Sequence, residues 1–274
     1  MTKQFNEKFK KRLLSIGAIL IILGIWYAIA GISWFSRGVD FPTPHHTFLS
    51  LFDKLTGEKM LDYSIYEHAF TSISRWLTAY TIAIFTGILI GVAVGLSEKL
   101  NVLFMPFIHT MQLIPGLAWI PVSLLLFGIG NTGTLFMIYM LAVMPVIITT
   151  ATGIKDTPAN LINTAVLMGA NKVDLFLHVL LPASLLHIVN GMRMGLANSW
   201  RVLIAAEMIV GSGVGLGYII IQSRWSLDYT SAFVSLILIV AVGLTFEKMV
   251  FGRIEKSLQR KYQQQNKELN QISD

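Results

Sequence analysis

From Leu13 to Phe35 the chain runs without a single charged side chain, and this stretch limits what the chain can fold into more than any other feature. About 20 apolar residues are enough to cross the hydrocarbon of a bilayer as a helix, and a backbone in lipid must satisfy its own hydrogen bonds. Six such runs can be drawn, at roughly 13–35, 76–96, 102–127, 133–153, 184–210 and 230–251. They are apolar on every face instead of alternating at period two, which argues against a strand-built barrel. The expected fold is an all-α integral membrane protein of about six transmembrane helices. Composition agrees, since only 13% of residues are charged against about a quarter in soluble domains.

The net charge of +6 suggests a polyanion partner only until the cations are located. They sit mainly in tails and short connections, where orientation signals lie, so no nucleic-acid partner is expected. With the amino terminus inside, Lys3, Lys8, Lys10, Lys11, Arg12, Lys99, Lys155, Lys172, Arg253, Lys256, Arg260, Lys261 and Lys267 face the cytoplasm. Arg37, Lys54, Lys59 and Arg224 face outward, so the balance is thirteen against four and both termini are expected inside. Three regions follow: a basic cytoplasmic segment 1–12, a membrane domain 13–251 and a polar tail 252–274 too poor in apolar residues to build a core. The basic start, the first apolar run and Ala28-Ile29-Ala30 also imitate a cleavable secretory signal; cleavage would leave five spans. The absence of cysteine excludes disulfides, thiolate metal sites and cysteine nucleophiles.

The inner connection 154–183 is the most informative segment. Leu161 to Ala170 reads as one short helix and Asp174 to Leu181 as a second, ending before Pro182. Its Met, Leu, Val and Phe side chains lie in water beside the membrane. Composition leaves two readings open, a surface for a partner or a hairpin packed on the chain's own inner face. Its spacing runs Asn163-Thr164-Ala165, three residues, Gly169, nine residues, Val179, one residue, Leu181-Pro182. It resembles the cytoplasmic loop signature of ATP-binding-cassette (ABC) importer permeases: Glu-Ala-Ala, three residues, Gly, nine residues, Ile, one residue, Leu-Pro. Asn163 stands for Glu and Thr164 for Ala, so the charge of the family's glutamate is missing here.

The likeness extends over nearly the whole chain and is greatest to the nitrate, sulfonate and taurine permeases. It is carried by Phe41-Pro42-Thr43-Pro44, Gly87 to Gly95, Gly128-Ile129-Gly130, Gly169-Ala170, Leu181-Pro182-Ala183, Gly191-Met192-Arg193, Ala205-Ala206-Glu207-Met208 and Gly215-Leu216-Gly217-Tyr218. The resemblance implies a transport subunit of a prokaryotic cell membrane and not an enzyme. Two cytoplasmic ATPase subunits would carry the ATP and Mg, with no cofactor on this chain. An extracytoplasmic binding protein would deliver a small, anionic solute, and a second copy of the permease would complete the pathway. The coupling contact would fall on Asn163, Thr164, Ala165, Gly169, Ala170, Val179, Leu181 and Pro182. Gly169 would allow a turn or a close backbone approach. Pro182, lacking an amide hydrogen, would mark the boundary between hairpin and membrane helix.

Other residues suit a transport path or its packing. Gly87, Gly91 and Gly95 share one helix face, as do Gly191 and Gly195, allowing close approach within the subunit or between subunits. Arg193, Arg201 and Glu207 lie within an apolar run, where ionisable groups face a polar pathway or a partner; Arg193 can also snorkel to the inner interface. Arg201 and Glu207 are about 240° apart on a helix, so their partners are sought elsewhere, among Gln112, His109 or Glu247. Arg201 is the expected attraction for an anion, with Gln112 a further pathway candidate. Pro106, Pro115 and Pro121 interrupt the third run, kinking it or freeing carbonyls to line a cavity. Gly211, Gly213, Gly215 and Gly217 read as a re-entrant or gate segment. His45-His46 lacks a third ligand and reads as a solvated loop pair, so no metal is expected.

The chain holds no Gly-x4-Gly-Lys-Ser/Thr loop for phosphates, no His-Glu-x2-His and no Gly-x-Ser-x-Gly. An ion- or proton-coupled secondary transporter would show paired interrupted helices in both halves, and a membrane enzyme would need a catalytic cluster at membrane depth. Neither pattern is visible.

Overall fold

The computed structural model describes residues 2–38 and 40–251; the polar tail expected at 252–274 lies outside the described residues. All the named elements are helical: α1 (Thr2–Arg37), α2 (Pro44–Leu55), α3 (Ile65–Leu96), α4 (Glu98–Gln112), a 3₁₀ turn (Gly116–Trp119), α5 (Ile120–Phe127), α6 (Asn131–Lys155), α7 (Ala159–Leu167), α8 (Lys172–Leu175), α9 (Leu181–Ile209), α10 (Leu216–Ser226) and α11 (Tyr229–Phe246). Among the described residues five helical stretches are long and apolar enough to span a bilayer, and the α4–α5 pair makes a sixth only if it is one broken span. The fold is all-α, as the apolar runs require.

Four features depart from the expected boundaries. The third run is not a straight helix: α4 and the segment from Gly116 to Phe127 are bent by 102°, at Pro115, which has no N–H to donate and disfavours helix at the residue before it. The helix that follows the outer connection begins at Ile65 and not near Trp76. Its extra turns carry His68, Ser72 and Arg75, which hydropathy counts against a span but which are buried in protein. The connection between α1 and α3 also contains α2, so His45 and His46 stand in its first turn and not in a loop. Finally, no break occurs at Pro182. The helix runs continuously from Lys172 to Ile209, because a π-turn over Phe176–Leu180, in which the Leu181 N–H donates to the Phe176 carbonyl, carries the backbone into α9 with Pro182 in its first turn.

The chain divides into two compact units, one of residues 1–66 and 219–237, the other of 67–218 and 238–274. In the first, the Trp26 indole donates to the Pro42 carbonyl at 2.9 Å, and Trp26 and Phe41 both pack on the Phe233 ring. A tight turn after α2 is closed by Lys54, which pairs with Glu58 at 2.8 Å.

The second unit is built around α6. On one side Gly87, Gly91 and Gly95 of α3 meet it so closely that an added Cβ would lie 2.9 Å from Val146, 2.6 Å from Thr150 and 3.0 Å from Ile154. Against α9, Gly195 does the same toward the Ala142 carbonyl at 2.8 Å, and Gly191 leaves room for Thr149. Lipid supplies no hydrophobic force to press helices together, so such small-residue contacts supply the association through dispersion. Trp76 closes the core beside Tyr80, Trp200 and Phe246, with its indole donating to Ser199 Oγ at 2.9 Å.

The packing predicts an asymmetry between glycines. Gly91→Leu forces a side chain into Thr150 and the Ile147 carbonyl and is expected to cost about 1–3 kcal/mol, lowering the melting temperature in detergent. Gly24→Leu in α1, where nothing among the described residues lies within 4 Å, is expected to leave it unchanged.

Candidate functional site

Arg75 and Glu207 form a buried ion pair, Nη1 to Oε1 at 2.8 Å, with side chains 6% and 0% exposed. Charges at such a depth persist only when the remaining donors and acceptors are also satisfied, and here they are. Arg75 donates through Nε to Asn131 Oδ1 at 2.7 Å, through Nη2 to Ser212 Oγ at 2.8 Å and through Nη1 to the Val214 carbonyl at 2.6 Å. Glu207 accepts from Ser72 Oγ at 2.8 Å and from the Gly217 N–H at 3.0 Å.

This network organises the glycine-rich stretch. The amides of Gly215, Leu216 and Gly217 donate to His68 Nδ1, Ser72 Oγ and Glu207 Oε2, so side chains from α3 and α9 take up the free N–H groups at the start of α10. Gly213 and Gly215 have φ of +89° and +145°, and a Cβ on Gly215 would lie 2.5 Å from the Glu207 carboxylate. Gly217 stands in the first turn of α10, so the expected gate segment is a short turn wrapped on a carboxylate followed by a helix. Glu207, expected to face a pathway, is sealed in this structure. Its partner is Arg75, and none of Gln112, His109 or Glu247. Glu247 instead pairs with Arg193 at 3.0 Å, both side chains about half exposed.

Arg201 has a different environment. It is exposed, and among the described residues no ion pair holds it. With Asn198, one turn earlier on the same face of α9, it lines a cavity of about 350 Å³ together with Gly116, Leu117, Leu141, Val202 and Ala205. The break after α4 forms the other wall: a Cβ on Gly116 would lie 3.0 Å from Val202 Cγ2, so the bend seats closely against α9. Gln112, in the last turn of α4, is not among the lining residues.

The connection between α6 and α9 folds as a hairpin. Gly169 has φ +85°; its N–H donates to the Val166 carbonyl and that of Ala170 to the Ala165 carbonyl, both at 3.0 Å. This is the Schellman ending of a helix, in which the residue after the cap takes a left-handed conformation that glycine adopts without penalty. Among the described residues nothing lies within 4 Å of a Cβ placed at Gly169, and the turn expected of it is present. Asn171 then starts α8 through a reciprocal capping box with Asp174. Thr164 and Ala165 of α7 face Val179 and Pro182 across a hollow of about 550 Å³, with His178 beside them. Leu167 and Met168 at the tip are 88% and 83% exposed. Asn163 is exposed, whereas Ala170 and Leu181 are half-buried.

Arg75, Ser72, His68, Asn131, Asn198 and Ser212 were not expected. The one signal for the first three is their spacing, His68, Ser72 and Arg75 at i, i+4 and i+7 along one helix face. Removing one partner of such a buried pair is expected to cost about 3–5 kcal/mol. Arg75→Ala is therefore expected to lower thermal stability in detergent far more than Arg193→Ala, whose pair is exposed, and Arg75→Met with Glu207→Met is expected to recover part of the loss.

The geometry matches known proteins over most of its length. Residues 83–260 match the model of the family described as binding-protein-dependent transport system inner membrane component. The chain is 29% identical over 250 residues to the bicarbonate transport system permease protein CmpB of Synechococcus elongatus, covering 90% of each. It is 30% identical over 229 residues to the taurine transport system permease protein TauC of Escherichia coli, covering 84% of this chain and 82% of that one. The fold resembles that in an inward-facing structure of the MetNI methionine ABC transporter, with a TM-score of 0.56 at 20% identity, over 70% of this chain and 96% of that one. With the family matched across more than half its length, the chain belongs to the inner-membrane components of binding-protein-dependent transport systems and is the permease subunit of an ABC importer.

Proposed function

We propose that this permease, paired with a second copy of itself, forms the path by which a small oxoanion-bearing solute enters the cell, driven by two separate ATPase subunits and supplied by an extracytoplasmic binding protein. The observation that carries the reading is the cytoplasmic hairpin. Its apolar tip at Leu167 and Met168 is bare, and the hollow beside it is lined by Thr164, Ala165, Val179 and Pro182. An exposed apolar surface of this kind in water marks a partner's seat. The ATP and its Mg belong to that partner, and both termini lie on the same cytoplasmic side.

The solute class follows from Arg201. A guanidinium that faces a cavity without an ion pair attracts an anion and donates in a fork that fits oxoanions, and the Asn198 side chain is placed to add a neutral hydrogen bond. Bicarbonate is such an anion and taurine carries a sulfonate, the solutes named for the relatives CmpB and TauC; nitrate fits the same description.

Two measurements test the proposal. Tagged chain purified in mild detergent is expected to bring down an ATPase subunit, and deletion of residues 163–182 is expected to abolish this while membrane insertion persists. A chain that transports after reconstitution alone would overturn it in favour of a secondary transporter. In the reconstituted assembly, Arg201→Ala is expected to cut uptake of bicarbonate, nitrate or taurine by about 10-fold or more, because a hydrogen bond to a charged group is worth about 1.5–3 kcal/mol. ATPase copurification is expected to survive that change, whereas Gly169→Leu, which strains the left-handed turn, is expected to uncouple hydrolysis from uptake.

A further inference from the structure

We infer that α2 is a lipid-immersed helix lying in the outer leaflet, with Phe48, Leu49, Phe52 and Leu55 embedded in acyl chains and His46 and Asp53 at the aqueous edge.

Three observations lead there. The first is the division of the helix surface. Phe48, Leu49, Phe52 and Leu55 are 40–65% exposed and recur at i, i+1, i+4 and i+7, one continuous stripe at about 100° per residue. Thr47 and Lys54 are buried on the opposite side, and His46 and Asp53 are exposed between the two. The helix therefore has a protein side, an apolar side and a polar edge, which is the division an in-plane interfacial helix needs.

The second is depth. The chain leaving α1 folds back along it. The Trp26 indole donates to the Pro42 carbonyl at 2.9 Å, and the Tyr27 hydroxyl meets His45 Nδ1 at 3.0 Å with the two rings stacked. Trp26 and Tyr27 lie about 15 Å short of the carboxyl end of α1, at about 1.5 Å per residue, and well inside its apolar stretch Leu13–Ser36. The start of α2 is thus tied to the side of the apolar stretch of α1 and not beyond its end, which brings the apolar side of α2 against acyl chains while its polar edge faces the headgroups. Only 6% of that stretch of α1 is buried within the chain, and its exposed isoleucines are lipid-facing by the same reasoning. The apolar stripe of α2 continues that lipid-facing surface.

The third is fixation. Thr47 is bound to the Thr43 carbonyl at the helix start, and at its other end the Tyr66 hydroxyl donates to the Leu55 carbonyl at 3.0 Å. α2 is held at both ends, so the orientation of its apolar side is set by the fold and not by a loose loop.

The chain has no cysteine, which makes the test direct. Single cysteines at positions 46, 48, 49, 52, 53 and 55 would each carry a nitroxide in the full chain, assembled with its ATPase partner in phospholipid vesicles. Accessibility to oxygen, which partitions into lipid, is then compared with accessibility to a water-soluble nickel chelate. The expected result is high oxygen and low nickel accessibility at 48, 49, 52 and 55 and the reverse at 46 and 53, with a period of about 3.6 residues. Nickel access at 48 and 52 equal to that at 46 and 53 would overturn the inference by placing the stripe in water. Exclusion of both reagents from 48 and 52 would also overturn it, assigning the stripe to a second copy, or to the binding protein if exclusion appears only when that protein is added. Each labelled variant is scored only if it still brings down the ATPase subunit, and Leu49→Cys and Leu55→Cys report the same face should either phenylalanine prove necessary for folding.

Discussion

The close approach of α6 to α3 on one side and α9 on the other is the contact on which the rest of the molecule depends. In lipid an apolar side chain gains little by turning from solvent to protein, so helices associate only where their backbones come near enough for dense dispersion contact. Glycines on both neighbours of α6 provide that nearness. α6 itself is the most buried of the apolar stretches, with 56% of its span inside the chain. Once α3 and α9 are set against it, Arg75 and Glu207 are brought to 2.8 Å, and the turn that follows α9 has a carboxylate to close upon. The electrostatics are therefore a consequence of the packing. A charge pair without this frame would be left exposed to hydrocarbon, where it is costly.

The same frame separates two kinds of charge on one helix. Glu207 is neutralised, enclosed and used to fix backbone amides, whereas Arg201, six residues earlier and on another face, lines a cavity with no ion pair among the described residues. Burying the acid against Arg75 leaves Arg201 as the charged side chain in the lining of that cavity.

The fold class, five of the six apolar stretches and the turn at the hairpin were legible in the sequence, because each rests on local pattern: uncharged length for the spans, and a glycine at the position a Schellman ending requires for the hairpin. Three things were not. Arg75 and Glu207 lie 132 residues apart in the chain, and a hydropathy reading that treats each charge as a penalty cannot know that two penalties cancel. The start of α3 was placed too late for the same reason. The proline at 182 reads as a stop only if the helix ahead of it is α-helical; a π-turn shifts the hydrogen bonds by one residue and lets the chain pass through. The outer helix α2 was hidden because its period belongs to a helix with three different surroundings and not two.

That uninterrupted passage through Pro182 has a mechanical consequence. A helix of 38 residues is about 57 Å long at about 1.5 Å per residue, nearly twice the roughly 30 Å of hydrocarbon it crosses. It is a rod longer than the barrier that holds it. A rigid rod rocked by about 10° about its midpoint moves each end by roughly 5 Å, about one helical turn. A small push at the hairpin end of the rod would thus be transmitted undiminished, with opposite sign, to the end where Glu207 grips the glycine turn.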